Sequence, residues 1–197
     1  DNSKIVRLFL RENGSSGQLG LKVYNAGGAL PLSDIVPVLE NFGSHVVEEA
    51  PTALGDGKRA YIHDFTLAIS DNVSADSIVA RADVLEAALS QVLDGDAEND
   101  AFNQLIVVAA LAPRAVVWLR AWFRYLRQTG LSYGLITVVE ALAEAPEATS
   151  AMIDLFQVLH DPVFDGDRDK AAKDANKRID SALTRVHGID DDRILRL

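Results

Sequence analysis

The stretch "LPLSDIVPVLENFGSHVVEE", Leu30 to Glu49, decides the fold. Ser33 is placed to cap the open N–H groups of a first helical turn, a contribution of about 1 kcal/mol. Asp34 adds negative charge at the positive end of the helix dipole. Pro37 reads as a first-turn residue, where a missing N–H costs little. Ile35, Val38, Leu39 and Phe42 recur at helical spacing and make one apolar stripe. Gly43 suits the left-handed position that ends a helix. A strand-like run from Ser44 to Glu49 follows at once, so a helix feeding directly into a strand is the unit around which the rest is read.

Upstream, "KIVRLFLRE" (Lys4 to Glu12) alternates imperfectly between apolar and polar residues. "ENGSSGQ" is a turn, and "LGLKVYNAGG" puts Leu19, Leu21 and Val23 on one face, so the two runs predict a hairpin. Downstream, "RAYIHDFTLAI" (Arg59 to Ile69) is a fourth strand, joined to the third by the turn-rich "APTALGDGK". The order is strand, strand, helix, strand, strand, which is a two-layer α+β arrangement on an antiparallel sheet. A helix from Ser74 would cover the same face through Ile78, Leu85, Leu89 and Val92. This order resembles the ferredoxin-like plan of ACT regulatory domains. The expected organisation is an ACT-like α+β sandwich over residues 1–95 and an all-α region over residues 96–197. Helices are predicted at about 74–93, 97–111, 113–129, 133–145, 147–160 and 167–187. Pro113 and Pro146 stand at first-turn positions, Gly130 and Gly188 at stops, and "HDPVFDGDRD" (His160 to Asp169) is the linker candidate.

Composition narrows the function. Of the 197 residues 48% are hydrophobic, enough for a core, and the net charge of −10 opposes nucleic acid and anionic membrane surfaces. There are no cysteines, which removes disulfides, thiolate metal sites and thiol nucleophiles and fits a cytoplasmic protein. The most apolar run, "LIVVAALAP" (Leu105 to Pro113), is about half of the ~20 residues that span a bilayer, and reads as buried helix. The start at Asp1 and the end at Leu197 within the helical phrase "DDRILRL" lead to the expectation of a piece of a longer chain; no signal peptide is visible.

Chemistry is sparse. "NAGGAL" is the nearest approach to a phosphate loop and lacks its motif. "DGDAEND" (from Asp94) and "DGDRDK" (from Asp165) begin like calcium loops, but Asn99 and Lys170 replace the turn glycine. The histidines His45, His63, His160 and His187 are scattered; His45 and His63 are the pair that could meet across the sheet. His63 and Asp64 are adjacent in a strand, so they point to opposite faces and form no dyad. The strongest polar feature is "WLRAWFRYLRQTG" (Trp118 to Gly130), where Arg120, Arg124 and Arg127 share a helix face beside Trp118, Trp122 and Tyr125. It reads either as an anion site or as arginines paired with acids such as Glu140 or Glu144. No catalytic, cofactor-binding or metal-binding residue is assigned.

"LPLSDIVPVLENFGSHVVEE", "YIHDF", "AENDAFNQLIVVAALAPRAVVWLRAWFRYLRQTGLSY" and "IDDDRILRL" resemble, in this order, segments of the large bacterial NAD-dependent glutamate dehydrogenases. The resemblance runs from about Leu19 to Leu197; Pro113, where that family has an aromatic residue, is a departure that bears on local packing. It implies a long parent chain that oxidises L-glutamate to 2-oxoglutarate and ammonia with NAD, its catalytic domain and NAD site lying beyond Leu197. This segment then needs no cofactor of its own. Its implied partners are neighbouring domains of the same chain and other copies in a homo-oligomer, and its implied role is regulation and scaffolding. A second reading is an amino-acid sensor. Its candidate ligand-binding residues are Asn25, Gly27, Gly28 and Asp34, with Arg120 and Arg124 as candidate anion contacts, and Gly27 and Gly28 would present backbone N–H groups to a carboxylate. Further alternatives are a helical protein-interaction module and a self-contained enzyme, the latter opposed by the missing nucleophile, metal set and nucleotide loop.

Overall fold

The computed structural model describes residues 3–11, 18–55, 60–70 and 72–197. The turn expected over Glu12 to Gly17, and residues 56–59 of the turn-rich stretch, lie outside them. The chain divides into two compact units, Asp1–Val107 and Val108–Leu197.

The first unit is an antiparallel sheet with helices on one face. Its strands are β1 (Ile5–Leu10), β2 (Gln18–Asn25), β3 (Ser44–Leu54) and β4 (Ala60–Ile69), in the spatial order β1-β2-β4-β3. The helix α1 (Leu32–Asn41) connects β2 to β3, and β4 lies between them. That is the split βαβ element of ferredoxin-like folds. Alternation sets the inner face: Val6, Leu19, Leu21, Val23, Phe65 and Leu67 are all buried there. Ile35, Val38 and Leu39 of α1 cover it, as do Leu85, Leu89 and Val92 of α3 (Ala82–Asp94). Each such side chain contributes about 1.5–3 kcal/mol of transfer free energy.

Several local expectations change. Ser33 is not the cap: α1 starts earlier, with Pro31 at the N-cap position, and Ser33 Oγ donates to Asp34 Oδ1 (3.2 Å). Proline fixes its own φ and has no N–H to leave open, so it starts the helix without a side-chain cap. Pro37 consequently stands inside the helix, on its exposed side. Gly43 does take the left-handed conformation (φ 81°), and its N–H donates to Glu40 O (2.8 Å). β3 continues through Ala50–Leu54, where a turn was expected, because those residues pair with Ala60–Asp64. The helix expected over 74–93 is two, α2 (Ala75–Val79) and α3. At the break Arg81 leaves helical geometry (φ −118°, ψ 24°) and its guanidinium donates to Ile106 O (2.9 Å). The 97–111 region is helical only as a 3₁₀ turn (Ala101–Asn103) and α4 (Gln104–Val108). Beyond it Ala110 adopts φ 52°, a left-handed conformation that ends helices.

The second unit holds α5 (Pro113–Gln128), α6 (Leu135–Glu144), α7 (Pro146–His160), α8 (Arg168–Leu183) and α9 (Ile189–Leu195). α7 packs on α8 and α6, and α6 packs on α9. Pro113 and Pro146 open their helices as expected, and Asp167 caps α8 by accepting from Lys170 N–H (3.0 Å). Phe156 of α7 lies 5.0 Å from both Trp118 and Trp122 of α5, ring centroid to centroid.

Candidate functional site

The connection from β2 to α1 is the most elaborately held loop of the first unit. Asn25 closes β2 and is 4% exposed. Its Nδ2 donates to Gly28 O (2.7 Å) and its Oδ1 accepts from Gly27 N–H (3.4 Å). This bends the chain back on itself, with Gly28 at φ 108°, a conformation open to glycine. A Cβ built on Gly28 meets nothing within 4 Å, so its backbone faces open space. Further on, Leu30 N–H donates to His63 Nε2 (3.1 Å).

His63 is 2% exposed and occupies an inner-face position of β4 between Tyr61 and Phe65, its ring stacked against both (centroids 6.0 and 6.3 Å). Its other nitrogen, Nδ1, lies 2.8 Å from Glu49 Oε1. Because Nε2 accepts from Leu30, the proton of the neutral ring belongs on Nδ1, which donates to Glu49. Glu49 reaches this position through a β-bulge. The register shifts between Val46 and Glu48, so Val46 opposes Leu67 and Glu49 opposes Phe65. Were Val47 paired in the ladder instead of bulged out of it, strict alternation would point Glu49 outward. His45 pairs with Ala68 near the far end of the ladder, while His63 pairs with Pro51, so these two histidines do not meet.

The outer sheet face carries Asp64, which pairs with Arg11 and, at 3.7 Å, with Lys22 Nζ. Phe9 lies over Gly20 there, with the Lys22 ammonium 5.4 Å from its ring centroid. His63 and Asp64 therefore do face opposite ways. At the sheet's β1 edge, Glu86 of α3 accepts from Leu8 N–H (2.8 Å), and Asp94 accepts from Lys4 N–H (3.0 Å). Two carboxylates thus satisfy edge amides that could otherwise pair with a foreign strand.

The other expected site residues are spread out. Asp34 is exposed in the first turn of α1. Arg120 is buried on α5, Arg124 is exposed, and neither is a free cation. Arg127 Nη1 donates to Leu131 O (2.8 Å) at the end of the same helix. Between α7 and α8 an open cleft of about 590 Å³ gathers Lys177, Arg178 and Arg185, but Arg185 pairs with Glu147 and Arg178 with Asp154 (2.7 Å). Just past the end of α9, Arg196 Nε donates to both carboxylate oxygens of Asp192 (2.8 and 2.9 Å), which holds that carboxyl below, and the guanidinium above, its ordinary range. Among the described residues, no group of three or more His, Asp or Glu side chains is placed to hold a metal ion. No described helix is long and apolar enough to cross a membrane.

An antiparallel sheet with a split βαβ element, followed by a helical unit, defines an ACT-type α+β domain joined to an all-α region. Comparison with known families makes this specific. Residues 5–79 match the glutamate dehydrogenase ACT3 domain, and residues 97–162 match glutamate dehydrogenase helical motif 3. The NAD-specific glutamate dehydrogenase of Halomonas elongata is 34% identical over 190 residues, which is 95% of this chain and 12% of that protein. The Pseudomonas aeruginosa enzyme of the same name is 35% identical over 184 residues, 91% of this chain and 11% of the relative. The Mycobacterium tuberculosis one is 30% identical over 198 residues, 97% and 12%. The chain carries, in succession, the ACT3 domain and helical motif 3 of glutamate dehydrogenases. It spans about 12% of the length of these relatives.

Proposed function

We propose that this chain is a non-catalytic regulatory and scaffold segment of a cytoplasmic NAD-dependent glutamate dehydrogenase. Its parent would convert L-glutamate, NAD and water to 2-oxoglutarate, ammonia and NADH. The observation that carries this reading is the succession of the two matched domains, ACT3 and then helical motif 3, along one chain. The polar groups of the described site fit the same role. Asn25 and His63 are engaged in holding backbone, and Glu49 in holding His63. We read residues 1–95 as the ACT-like domain and 96–197 as the helical region leading toward the catalytic part. Neighbouring domains of the same chain are its partners, and the parent is a homo-oligomer.

The test has two arms. The chain alone, given glutamate and NAD, should form no NADH above buffer; turnover would return the self-contained-enzyme reading. In the complete parent enzyme, Val38→Asp, which places a charge in the core under α1, should alter assembly or the response to amino acids. An enzyme unchanged in both respects would remove the regulatory and scaffold role.

A second reading, an amino-acid effector held at Asn25, Gly27, Gly28 and Asp34, is favoured by one observation: the Gly28 backbone is held in a left-handed bend facing open space. Melting of the chain against the twenty amino acids and 2-oxoglutarate checks it. A ligand present at a hundred times its dissociation constant adds about 2.7 kcal/mol, a resolvable rise in melting temperature. No shift with any of them removes the sensor.

A further inference from the structure

We propose that His63 is a protonation-dependent latch that fastens the Asn25–Pro31 loop to the sheet when neutral and releases it when charged. The proposal concerns how the loop is attached and stands whether or not an effector binds there.

Among the described residues, side-chain hydrogen bonds hold this loop from two sides. One is the Asn25 amide on Gly27 and Gly28, which does not titrate. The other is the Leu30 N–H on His63 Nε2. That second bond exists only while Nε2 has a lone pair. Imidazolium carries N–H on both nitrogens, so it would set its Nε2–H against the Leu30 N–H at the present 3.1 Å separation. The ring cannot step aside, because it is 2% exposed and stacked between Tyr61 and Phe65. It cannot usefully rotate either, since Glu49 holds Nδ1 at 2.8 Å. The loop is the side that can give way: Gly28 at its bend is half-buried, and Pro31 at its end is exposed.

A proton taken up by this buried ring would meet a carboxylate. Glu49 of β3 is in direct contact with it. On α1 the charged groups are Asp34 and Glu40, both anionic. On α3 they are Asp83, Glu86 and Asp94, the last two engaged with β1. Of the cations, Lys4 just before β1 is paired with Asp94 (3.0 Å) and Arg81 at the start of α3 donates to Ile106 O, while Asp64, Arg11 and Lys22 belong to the outer sheet face. Histidine is the side chain whose charge ordinarily changes between pH 5 and 8, so that interval is the one to search for release of the loop.

The experiment is amide hydrogen exchange and ring ¹⁵N NMR on the chain from pH 8 to pH 5. At high pH the ring shifts should show the proton on Nδ1 and a bare Nε2. Protection of the Leu30 amide, corrected for intrinsic exchange, should then fall at least about tenfold as the ring becomes protonated, while that of Leu21 in β2 holds. His63→Gln supplies a non-titrating acceptor and should make Leu30 protection flat with pH. A proton found on Nε2 at high pH, or Leu30 protection that tracks Leu21 throughout, overturns the proposal in the unmodified protein. A pH-dependent loss that persists in a folded His63→Gln variant overturns it as well. Glu49→Gln removes the neighbouring charge while keeping an acceptor for Nδ1–H, and should move the release to lower pH; an unmoved midpoint counts against the latch.

Discussion

Replacing Glu86 by alanine opens the protected edge of the sheet, and the cost can be worked from the contacts. Glu86 is 14% exposed at its side chain and does two things. One oxygen accepts from Leu8 N–H at 2.8 Å; the other accepts from Arg7 Nη1 at 2.8 Å. A hydrogen bond to a charged group is worth about 1.5–3 kcal/mol when its loss leaves the partner unsatisfied. The Arg7 pair, 61% exposed on the arginine side, adds at most about 0.5 kcal/mol. Water reaches part of the opened edge and returns some of this. The expected loss is about 2 kcal/mol. With a slope of about 2 kcal/mol per molar urea, the unfolding midpoint of the first unit should fall by about 1 M. Exchange of the Leu21 amide under increasing urea reads that unit, because both tryptophans lie in the other one. Glu86→Gln keeps an acceptor for Leu8 and should lose less than half as much. A Glu86→Ala loss below about 0.5 kcal/mol, or an equal loss in the glutamine variant, would refute the idea that this carboxylate satisfies the edge. Combined with Asp94→Ala, the variant should also self-associate, since an open edge strand invites pairing; sedimentation at increasing concentration shows it.

Other consequences follow from the same contacts. Asn25→Ala should cost about 1–2 kcal/mol and raise exchange at Gly28 ahead of the rest of the first unit, as mass spectrometry of exchanged peptides would show. Ala110→Gly should stabilise the second unit by about 1 kcal/mol, because alanine there occupies a left-handed conformation; thermal unfolding followed by tryptophan emission measures it. Phe156→Ala removes the ring between Trp118 and Trp122, so native emission should shift to longer wavelength; an unchanged spectrum would deny that packing. Asp192 should titrate below the usual carboxylate range by NMR, and Arg196→Ala should bring it back. The sign is that of a lowered acid: the pair supports α9 above that range and is lost as pH falls through the lowered midpoint.

What the sequence determined by itself was the α+β class and the order of elements. The stripe Ile35, Val38, Leu39 and Phe42 can bury itself only as a helix, and Gly43 ends that helix in the conformation glycine permits. Alternation likewise placed Leu19, Leu21 and Val23 on one face, and it separated His63 from Asp64. Pro113 and Pro146 announced their helices because proline at a helix start loses nothing. Boundaries fared worse where tertiary contacts compete with local signals. Ser33 has the chemistry of a cap, but Pro31 takes the position. A long amphipathic pattern after Ser74 breaks at Arg81, whose guanidinium finds the Ile106 carbonyl.

The site itself was legible only in part. "NAGG" marked the loop, and a histidine at an inward position between Tyr61 and Phe65 was a signal that something polar must meet it. Its partner could not be read. From Val46 onward, strict alternation sends Glu48 toward the core and Glu49 to solvent. One extra residue, Val47, reverses that parity and brings Glu49 to within 2.8 Å of His63. A bulge is fixed by how two strands pair along their whole length, a property of the folded sheet that neither strand carries alone.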